Sequence, residues 1–394
     1  MRIVIVPDSF KGSMSAKSFC DAAECGIRKR LPDAEIVKMP IADGGEGTMD
    51  CILSVVSGST DALAVTGAFA GEKRTVRVGF VDSGRTAVIE TAETMGLPSV
   101  GERKNPLLTT TFGVGEMILY ALERGAKKLI LTLGGSSTND CGAGMMAAMG
   151  AKFYGADGKS FVPTGGTLCK VNACDFSKMH ERLCGVEIVA MCDVNNPLCG
   201  ENGCSAVYAP QKGADSAMVA LLDSGCRHFA DVVAGCNAKN GVSAQDFSEF
   251  PGAGAAGGLG FACVACMNGV LRSGIDTILD LYNFEAAAGN ADFVVTGEGR
   301  FDEQSLMGKA IGGILKRTRE TALVARRKNI PVVVFCGKNA AGGTEGVGEN
   351  AARYPDLSVF EISTGQPLDY AMRHAVQNLE VATEKWVLEV MREG

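Results

Sequence analysis

The chain has 394 residues, of which 46% are apolar and 21% are charged, and its net charge is −7. This length exceeds one ordinary hydrophobic core and favours two domains of an enzyme-like α/β protein. The acidic balance, with no basic block, argues against nucleic acid or an anionic membrane surface as the main partner. An anionic substrate must therefore be held by local Arg, Lys and backbone N–H groups.

The cysteine content predicts a reducing, cytoplasmic location. The count of 15 is odd, the spacing is irregular, and the chain opens on a strand pattern where a signal peptide would stand. Cys263 and Cys266 form a CxxC pair within an apolar run and are predicted to be core residues, because a zinc site needs four ligands. The uncharged stretch from Gly252 to Leu271 begins with Gly and Ala and is not predicted to cross a membrane.

Short β-rich runs alternate with longer helical patterns along the chain, which is typical of parallel α/β layers. The predicted strands are RIVIV, AEIVKM, LILTL, EIVAMC, DFVVT, PVVVFC and LSVFEI. Residues 74–92 instead alternate in polarity around DSGR and predict an antiparallel hairpin. A hairpin within a β–α series suggests an inserted domain, from near residue 65 to near residue 285. The stretch from Pro367 to Met391 predicts a helix docked on the sheet.

Five polar, glycine-rich stretches follow strand-like runs, and loops at the carboxyl ends of strands form the binding crevice in α/β folds. They are PDSFKGSMSA from Pro7, ADGGEGT from Ala42, GGSSTNDCGAG from Gly134, CDVNNPLCGENG from Cys192 and TGEGRFDEQS from Thr296. Five such loops are hard to explain as five accidental turns, and each is a candidate for ligand binding.

The first loop places Ser9 and Lys11 beyond a strand and before a helix capped by Ser13 or Ser15. Lys11 is interpreted as a point charge for a phosphate or carboxylate. The alternative is a capped loop with a solvated lysine.

The second loop sets Asp43 and Glu46 around Gly44 and Gly45, with Thr48 to cap the next segment. Two carboxylates here would suit a cation-bound phosphate, because Mg²⁺ takes one or two carboxylates plus substrate oxygens. An Asp-Gly turn is the alternative.

The third loop carries Gly134, Gly135, Ser136, Ser137 and Asn139 ahead of an apolar helix. Such a loop offers N–H groups and hydroxyls to an anion, which we favour over plain helix capping.

The fourth loop begins at Asp193, which ends a buried strand and precedes the turn-forming NNP that contains Asn196. This position directs a side chain into a crevice, so Asp193 is the candidate to position or deprotonate an acceptor hydroxyl. The alternative is an Asx-turn that only shapes the loop.

In the fifth loop, Gly297, Gly299 and Arg300 present bare backbone beside a guanidinium, with Asp302 near enough to orient Arg300 or a metal. Either a bound phosphate or a tight strand-to-helix turn accounts for this pattern.

GAGAAG, residues 252–257, satisfies G-x-G-x-x-G but follows DFSEFP and no buried strand, so a dinucleotide site is not expected. The loops together offer N–H groups, cations and carboxylates. Phosphoryl transfer is the reaction class that uses all three.

At these loops the sequence resembles the bacterial type 1 glycerate kinases, which phosphorylate D-glycerate with ATP. The matching segments are PDSFKGSMSA, PIADGGEGT, TLGGSSTNDCGAGM, DVNNPLCG, PQKGAD, GAGAAGGLG and VVTGEGRFDEQSLMGK. They span nearly the whole chain in family order. Met14, Cys141 and Cys204 depart from the usual Leu, Gly and Ala.

The resemblance implies a discontinuous, three-layer Rossmann-like α/β domain of residues 1–65 and 286–394, an inserted α/β domain of residues 66–285, and an active site in the cleft between them. It further implies ATP and Mg²⁺ as cofactors, D-glycerate as the partner and no membrane partner. A homo-oligomer stays open. The 2-phosphate is favoured as product, with 3-phosphoglycerate and a non-catalytic small-acid binder as alternatives.

Overall fold

The computed structural model describes residues 1–42, 44–239, 245–306, 310–327, 329–340 and 356–393. The chain forms two compact units. Unit 1 comprises Met1–Asp43, Asp50–Val56 and Ile275–Gly394, and unit 2 comprises Gly44–Met49 and Ser57–Gly274.

Strands and helices alternate along the described part of the chain. The strands are β1 Arg2–Ile5, β2 Glu35–Lys38, β3 Gly58–Thr66, β4 Lys73–Val81, β5 Thr86–Glu90, β6 Lys128–Thr132, β7 Lys152–Tyr154, β8 Ser160–Phe161, β9 Ala173–Asp175, β10 Glu187–Met191, β11 Val270–Arg272, β12 Phe293–Phe301, β13 Val332–Asn339 and β14 Leu357–Glu361. The helices are α1 Ala16–Arg28, α2 Thr48–Leu53, α3 Ala92–Met95, α4 Leu97–Val100, α5 Phe112–Glu123, α6 Ala143–Ala148, α7 Ser177–Arg182, α8 Cys204–Tyr208, α9 Ser216–Lys239, α10 Ala255–Cys266, α11 Gly274–Leu281, α12 Phe284–Ala288, α13 Ala310–Val324, α14 Leu368–Arg373 and α15 Ala375–Glu393.

Unit 1 is built on a five-stranded parallel sheet in the order β14-β13-β12-β1-β2. Its central strands begin with apolar runs that are mostly buried, as expected when a parallel sheet is covered on both faces, whereas the ends of β12 and β13 are polar and partly exposed. Helix α1 begins after Ser15, whose hydroxyl accepts a hydrogen bond from Ser18 N–H at 3.0 Å. This is one of the two predicted caps.

The predicted C-terminal helix docks on this sheet. Trp386 of α15 packs its ring against Phe293 of β12 and Phe335 of β13, with centroids 5.3 and 6.2 Å apart. The prediction of docking is confirmed, but the helical stretch is divided at His374 into α14 and α15.

Unit 2 is built on a six-stranded mixed sheet in the order β11-β10-β6-β5-β4-β3. Strands β11, β10, β6 and β5 are parallel, whereas β4 is antiparallel to both β5 and β3. The predicted hairpin is therefore confirmed, and its turn, Asp82–Gly84, uses three consecutive residues with positive φ.

All seven predicted strands are present, and the mixed α/β fold class is confirmed. Three features were missed by sequence reasoning: the edge strand β3, the three-residue edge strand β11 and the three-stranded antiparallel sheet β8-β7-β9. Most residues of β3 are exposed or half-buried, so it lacks a continuous apolar run. The strands of the small sheet have only two or three residues each.

Cys263 and Cys266 are buried in α10 and belong to the main core of unit 2, which confirms their assignment as core residues. Within the described ranges, no helix is long and apolar enough to cross a membrane.

Candidate functional site

One edge of the unit 2 sheet gathers most of the predicted site loops of that unit. Strands β5, β6 and β10 run parallel, so their carboxyl ends meet at the same edge. Glu90 ends β5, the loop from Gly134 follows β6, and Asp193 follows β10. The sheet order thus brings together residues that are distant along the chain.

The second and third glycine-rich loops touch at this edge. The Gly134 N–H donates to the Gly44 carbonyl at 3.1 Å. A Cβ atom on Gly134 would lie 2.7 Å from the Gly45 Cα, closer than real Cβ contacts allow. Glycine is therefore required at 134 for backbone-to-backbone contact, which accounts for part of the pattern that predicted ligand binding.

Glu90 holds the second loop in place. This residue is 2% exposed, and its two carboxylate oxygens accept hydrogen bonds from the Gly47 and Met49 N–H groups at 2.8 and 3.1 Å. These N–H groups lie at the start of α2, where a helix has no internal acceptors for them. Glu46, exposed beside them, is carried on a backbone fixed by a buried carboxylate.

The third loop is held on its buried side by Lys212, which is 2% exposed. Lys212 Nζ donates to the Ser136 hydroxyl at 3.0 Å and to the Thr138 carbonyl at 2.7 Å. Burial lowers the pKa of Lys212 to about 8, because desolvation disfavours the ammonium. A buried lysine thus lies directly beneath the loop that was predicted to bind an anion.

Two predicted binding residues of this loop are buried among protein partners. The Ser137 hydroxyl donates to the Met95 carbonyl at 2.8 Å, and its N–H donates to the same oxygen. The Asn139 amide donates to the Ser205 hydroxyl at 3.1 Å, while its Oδ1 is buried without a described partner. The exposed part of the loop is Gly135, with Gly134 half-buried.

Asp140 closes the loop and is fully buried. One of its oxygens accepts hydrogen bonds from the Thr111 N–H and hydroxyl at 2.8 and 2.9 Å and from the Gly144 N–H at 3.3 Å. The other accepts from the Gly142 N–H at 3.1 Å. Burial raises the Asp140 pKa, and these hydrogen bonds oppose that rise. The carboxylate fixes the turn into α6.

The GAGAAG segment packs against this same loop. A Cβ atom on Gly257 would lie 2.0 Å from the Thr138 carbonyl oxygen, and the Gly257 carbonyl accepts from the Cys141 N–H at 3.0 Å. Cys141 has a φ of 52°, the left-handed region where the resembled family has Gly. Glycine at 257 therefore serves the close packing of this segment on the third loop.

Asp193 and Asn196 lie on the loop after β10. Asp193 is exposed, and its Oδ1 accepts from the Gly274 N–H at 2.8 Å. Asn196 donates to the Asn202 carbonyl at 2.8 Å and accepts from the Tyr208 hydroxyl at 2.7 Å. The Asn196 amide thus shapes the loop, while the Asp193 carboxylate reaches the surface at the carboxyl edge.

Unit 1 carries a second cluster, which joins the first and fifth loops. The predicted end of the strand at Thr296 is wrong, because residues 296–301 of the fifth loop continue β12 and pair with β13. Strands β1 and β12 are parallel neighbours, and the Asp8 N–H donates to the Gly297 carbonyl at 3.0 Å. The Ser9 N–H donates to the Asp8 carboxylate at 2.6 Å. Lys11 is exposed on the same loop.

The two glycines of TGEGR differ in their surroundings. A Cβ atom on Gly297 would lie 2.4 Å from both the Phe19 ring and the Phe335 carbonyl oxygen. On Gly299 the nearest atom would be the Phe10 Cα, at an ordinary 3.6 Å. Packing therefore explains Gly297, whereas no described neighbour requires glycine at 299.

Arg300 and Asp302 lie beyond Gly299. Arg300 Nε is 3.5 Å from an Asp302 oxygen, and the Arg300 side chain is 68% exposed. The other Asp302 oxygen accepts from the Gln304 N–H at 3.0 Å. An exposed ion pair of this kind contributes little to stability, so the guanidinium is available to an anion at small cost.

Of the predicted metal ligands, Glu46 is exposed and Asp43 lies outside the described residues. The described residues contain no group of three or more His, Cys, Asp or Glu side chains suited to a metal ion. An exposed carboxylate on a fixed loop matches Mg²⁺, which is held by one or two carboxylates plus substrate phosphates.

Sequence reasoning did not identify Lys212 or Glu90 as parts of this site. Lys212 lies in PQKGAD, a segment that matches the resembled family, and this match was the available signal. Glu90 ends a strand within the predicted hairpin and carried no local signal, because its partners are 41 and 43 residues away.

Each unit contains an open sheet with glycine-rich loops at the carboxyl ends of parallel strands, which is where α/β enzymes bind small molecules. Comparison with known proteins gives the family. The sequence profile of the glycerate kinase family matches residues 3–391. A Bacillus cereus glycerate kinase is 42% identical over 98% of this chain and 96% of its own length. An Escherichia coli glycerate 2-kinase is 41% identical over 96% of this chain and 95% of its own.

A solved structure from Salmonella typhimurium LT2, provisionally named glycerate kinase 2, superimposes with a TM-score of 0.82. The two sequences are 35% identical, and the superposition covers 100% of this chain and 99% of the solved chain. This chain belongs to the glycerate kinase family, and it is an enzyme of the kinase class.

Proposed function

We propose that this enzyme phosphorylates D-glycerate with Mg-ATP and forms 2-phosphoglycerate and ADP. The observation that carries the proposal is near-full-length similarity to proteins named glycerate kinase, together with glycine-rich loops at the carboxyl edges of both sheets. The name of the E. coli relative, glycerate 2-kinase, favours the 2-phosphate over the 3-phosphate.

Asp193 is assigned as the residue that positions and deprotonates the acceptor hydroxyl. Its carboxylate is exposed at the end of β10, and one oxygen is fixed by the Gly274 N–H at 2.8 Å. A general base must reach the proton it removes, and a carboxylate held by one backbone donor is oriented without being buried. Asp193 would position the hydroxyl and accept its proton as the phosphoryl group is transferred.

Lys11 and Arg300 are assigned to stabilise the negative charge of the phosphoryl group during its transfer. Both are exposed. Lys11 follows β1, and Arg300 lies near the end of β12, the adjacent parallel strand. Positive groups fixed where negative charge develops lower the barrier of phosphoryl transfer. Ser9, Gly299 and Asp302 would complete the anion-binding surface of this cluster.

In the second loop, Glu46 and Asp43 would hold Mg²⁺, directly or through water. When bound, the ion neutralises phosphate charge and orients the phosphates. The Glu90 carboxylate holds this loop by its backbone, which keeps Glu46 in position. Gly44 and Gly45 then leave space for a phosphate.

We place the enzyme in the cytoplasm, because 15 free cysteines suit a reducing compartment. Its partner is the small-molecule substrate, and the homo-oligomeric state is open.

The test is ADP release with ATP and D-glycerate, with glycerol as the matched acceptor that lacks a carboxylate. We expect strong preference for glycerate, since a charged hydrogen bond contributes roughly 1.5–3 kcal/mol. Equal turnover of the two acceptors would exclude the proposal. Phosphorus NMR of the product distinguishes 2-phosphoglycerate from 3-phosphoglycerate. Binding of D-glycerate in a calorimetric titration, with no ADP release, would identify a non-catalytic binder.

A further inference from the structure

Lys212 is a buried cation whose described side-chain hydrogen bonds both go to the third loop. It ends the short helical turn Pro210–Lys212 and is 2% exposed. Its described hydrogen bonds go to the Ser136 hydroxyl at 3.0 Å and the Thr138 carbonyl at 2.7 Å. Among the described residues, no carboxylate lies within ion-pairing distance of its ammonium. The positive charge is therefore not neutralised by a direct partner.

The direction of the hydrogen bond to Ser136 is fixed by chemistry. An ammonium has three donors and no lone pair, so the Ser136 oxygen can only accept. The hydroxyl hydrogen of Ser136 must then point elsewhere, and none of the described hydrogen bonds uses it. Ser136 is 6% exposed and follows the exposed Gly135.

The carboxyl group of Asp140, which lies near Lys212, already accepts hydrogen bonds from other residues. Asp140 is fully buried, and its two oxygens accept hydrogen bonds from Thr111, Gly142 and Gly144. It fixes one end of the loop, while Lys212 fixes the middle. The loop is thus held at both points, and the Ser136 hydroxyl hydrogen is left without a described acceptor.

We propose that Ser136 and Lys212 form an oxyanion-binding pair, in which Ser136 donates to a carboxylate or phosphate oxygen and Lys212 orients and strengthens that donor. A hydrogen bond from an ammonium polarises the hydroxyl, so the next donor in the chain is stronger. Lys212 is a positioning residue, because it acts through Ser136 and does not touch the ligand. The inference rests on the proposed function for the identity of the ligand, either glycerate or ATP.

The pair also predicts a pH dependence. Burial lowers the pKa of Lys212 to about 8, and the Asp140 carboxyl that faces it opposes that shift; Cys204 and Cys226 also face it. The hydrogen bond with Cys226 raises the pKa of Cys204, and the one with Cys141 raises that of Cys226, so both thiols stay neutral. The ammonium is present below pH 8 and lost above it, and oxyanion affinity falls in the same direction.

A double-mutant cycle tests the pair: Ser136→Ala, Lys212→Met, the double variant and the parent. We expect each single variant to raise the KM of the same substrate, glycerate or ATP, by about tenfold, the size of a lost charge-assisted hydrogen bond. The double variant should be no worse than either single one, because Lys212 acts through Ser136. The substrate affected identifies the ligand as a carboxylate or a phosphate.

Two further measurements separate this role from a structural one. The KM of the affected substrate should rise above pH 8 in the parent and stay level in Lys212→Met, and Lys212→Arg should retain part of the affinity. Fully multiplicative losses, or a pH profile unchanged by Lys212→Met, would overturn the pair. If the parent does not turn over glycerate, calorimetric titration with D-glycerate and with inorganic phosphate tests the pair independently: weakening in both single variants supports it, and unchanged binding overturns it.

Discussion

The buried carboxylate of Glu90 accepts a 2.8 Å hydrogen bond from the backbone N–H of Gly47. Its second oxygen accepts from the Met49 N–H at 3.1 Å, so one side chain satisfies two of the donors at the start of α2. This relationship makes the conformation of the second glycine-rich loop dependent on a residue at the end of β5.

Replacing Glu90 by Gln is expected to lower both stability and activity. The amide keeps one acceptor but turns an NH₂ group toward a backbone N–H, which leaves a buried donor without a partner. The free energy of unfolding should fall by about 1–3 kcal/mol. Urea denaturation and steady-state kinetics measure the two effects. Glu187→Gln, an exposed carboxylate paired with Lys128, is the control and should change stability by less than about 0.5 kcal/mol.

Asp193→Asn tests the assigned base. Asn preserves size and turn chemistry, so the melting temperature should match that of the parent, while kcat should fall by about a hundredfold or more. Asp246→Asn is a matched control, because Asp246 is also exposed and accepts one backbone N–H, from Ser248 at 2.8 Å. Near-parental kcat in Asp193→Asn would mean that this side chain only shapes its turn, and Asp8 or Asp302 would become the next candidate.

Gly297→Ala and Gly299→Ala should separate packing from ligand contact in the fifth loop. A methyl group at 297 meets the Phe19 ring and the Phe335 carbonyl at 2.4 Å, so we expect a loss of about 1–3 kcal/mol of stability. At 299 the nearest atom is 3.6 Å away, so folding should be unaffected. A fall in activity of stable Gly299→Ala would indicate a ligand close to that backbone. Unchanged KM and kcat would argue that residue 299 faces only solvent.

Lys212→Met should change how stability depends on pH. The pKa of Lys212 is lowered by burial from 10.5 to about 8, so the unfolded chain binds more protons than the folded one between these values. The cost of burying the ammonium is complete below pH 8 and declines as the pH rises toward 10.5. The stability of the parent relative to Lys212→Met should therefore rise by about 2 kcal/mol from pH 7.5 to pH 10.

Chemical denaturation at both pH values measures this difference. Lys159→Met removes a lysine whose side chain is 85% exposed and should show no such change. A constant difference between the parent and Lys212→Met would contradict a depressed pKa.

The sequence by itself determined seven of the strands, the hairpin and the positions of four of the five glycine-rich loops, whereas the fifth begins inside β12. Runs such as LILTL and DFVVT are mostly buried on both faces. A strand in this environment needs consecutive apolar residues, and such a run can be recognised in the sequence itself. The DSGR turn is equally local, because its conformation depends on adjacent residues. The family could also be predicted, since its motifs stand in order along the chain.

Only the tertiary structure decided which polar residues meet. Lys212 reaches Ser136 across 76 positions and Glu90 reaches Gly47 across 43, and no local pattern specifies such pairs. Likewise, Gly297 and Gly299 look alike in the sequence, yet only Gly297 lies against Phe19 and Phe335. The reason is physical: periodicity encodes backbone conformation and burial, whereas the partner of a buried charge or a glycine depends on strand order and on loops that pack together from distant parts of the chain.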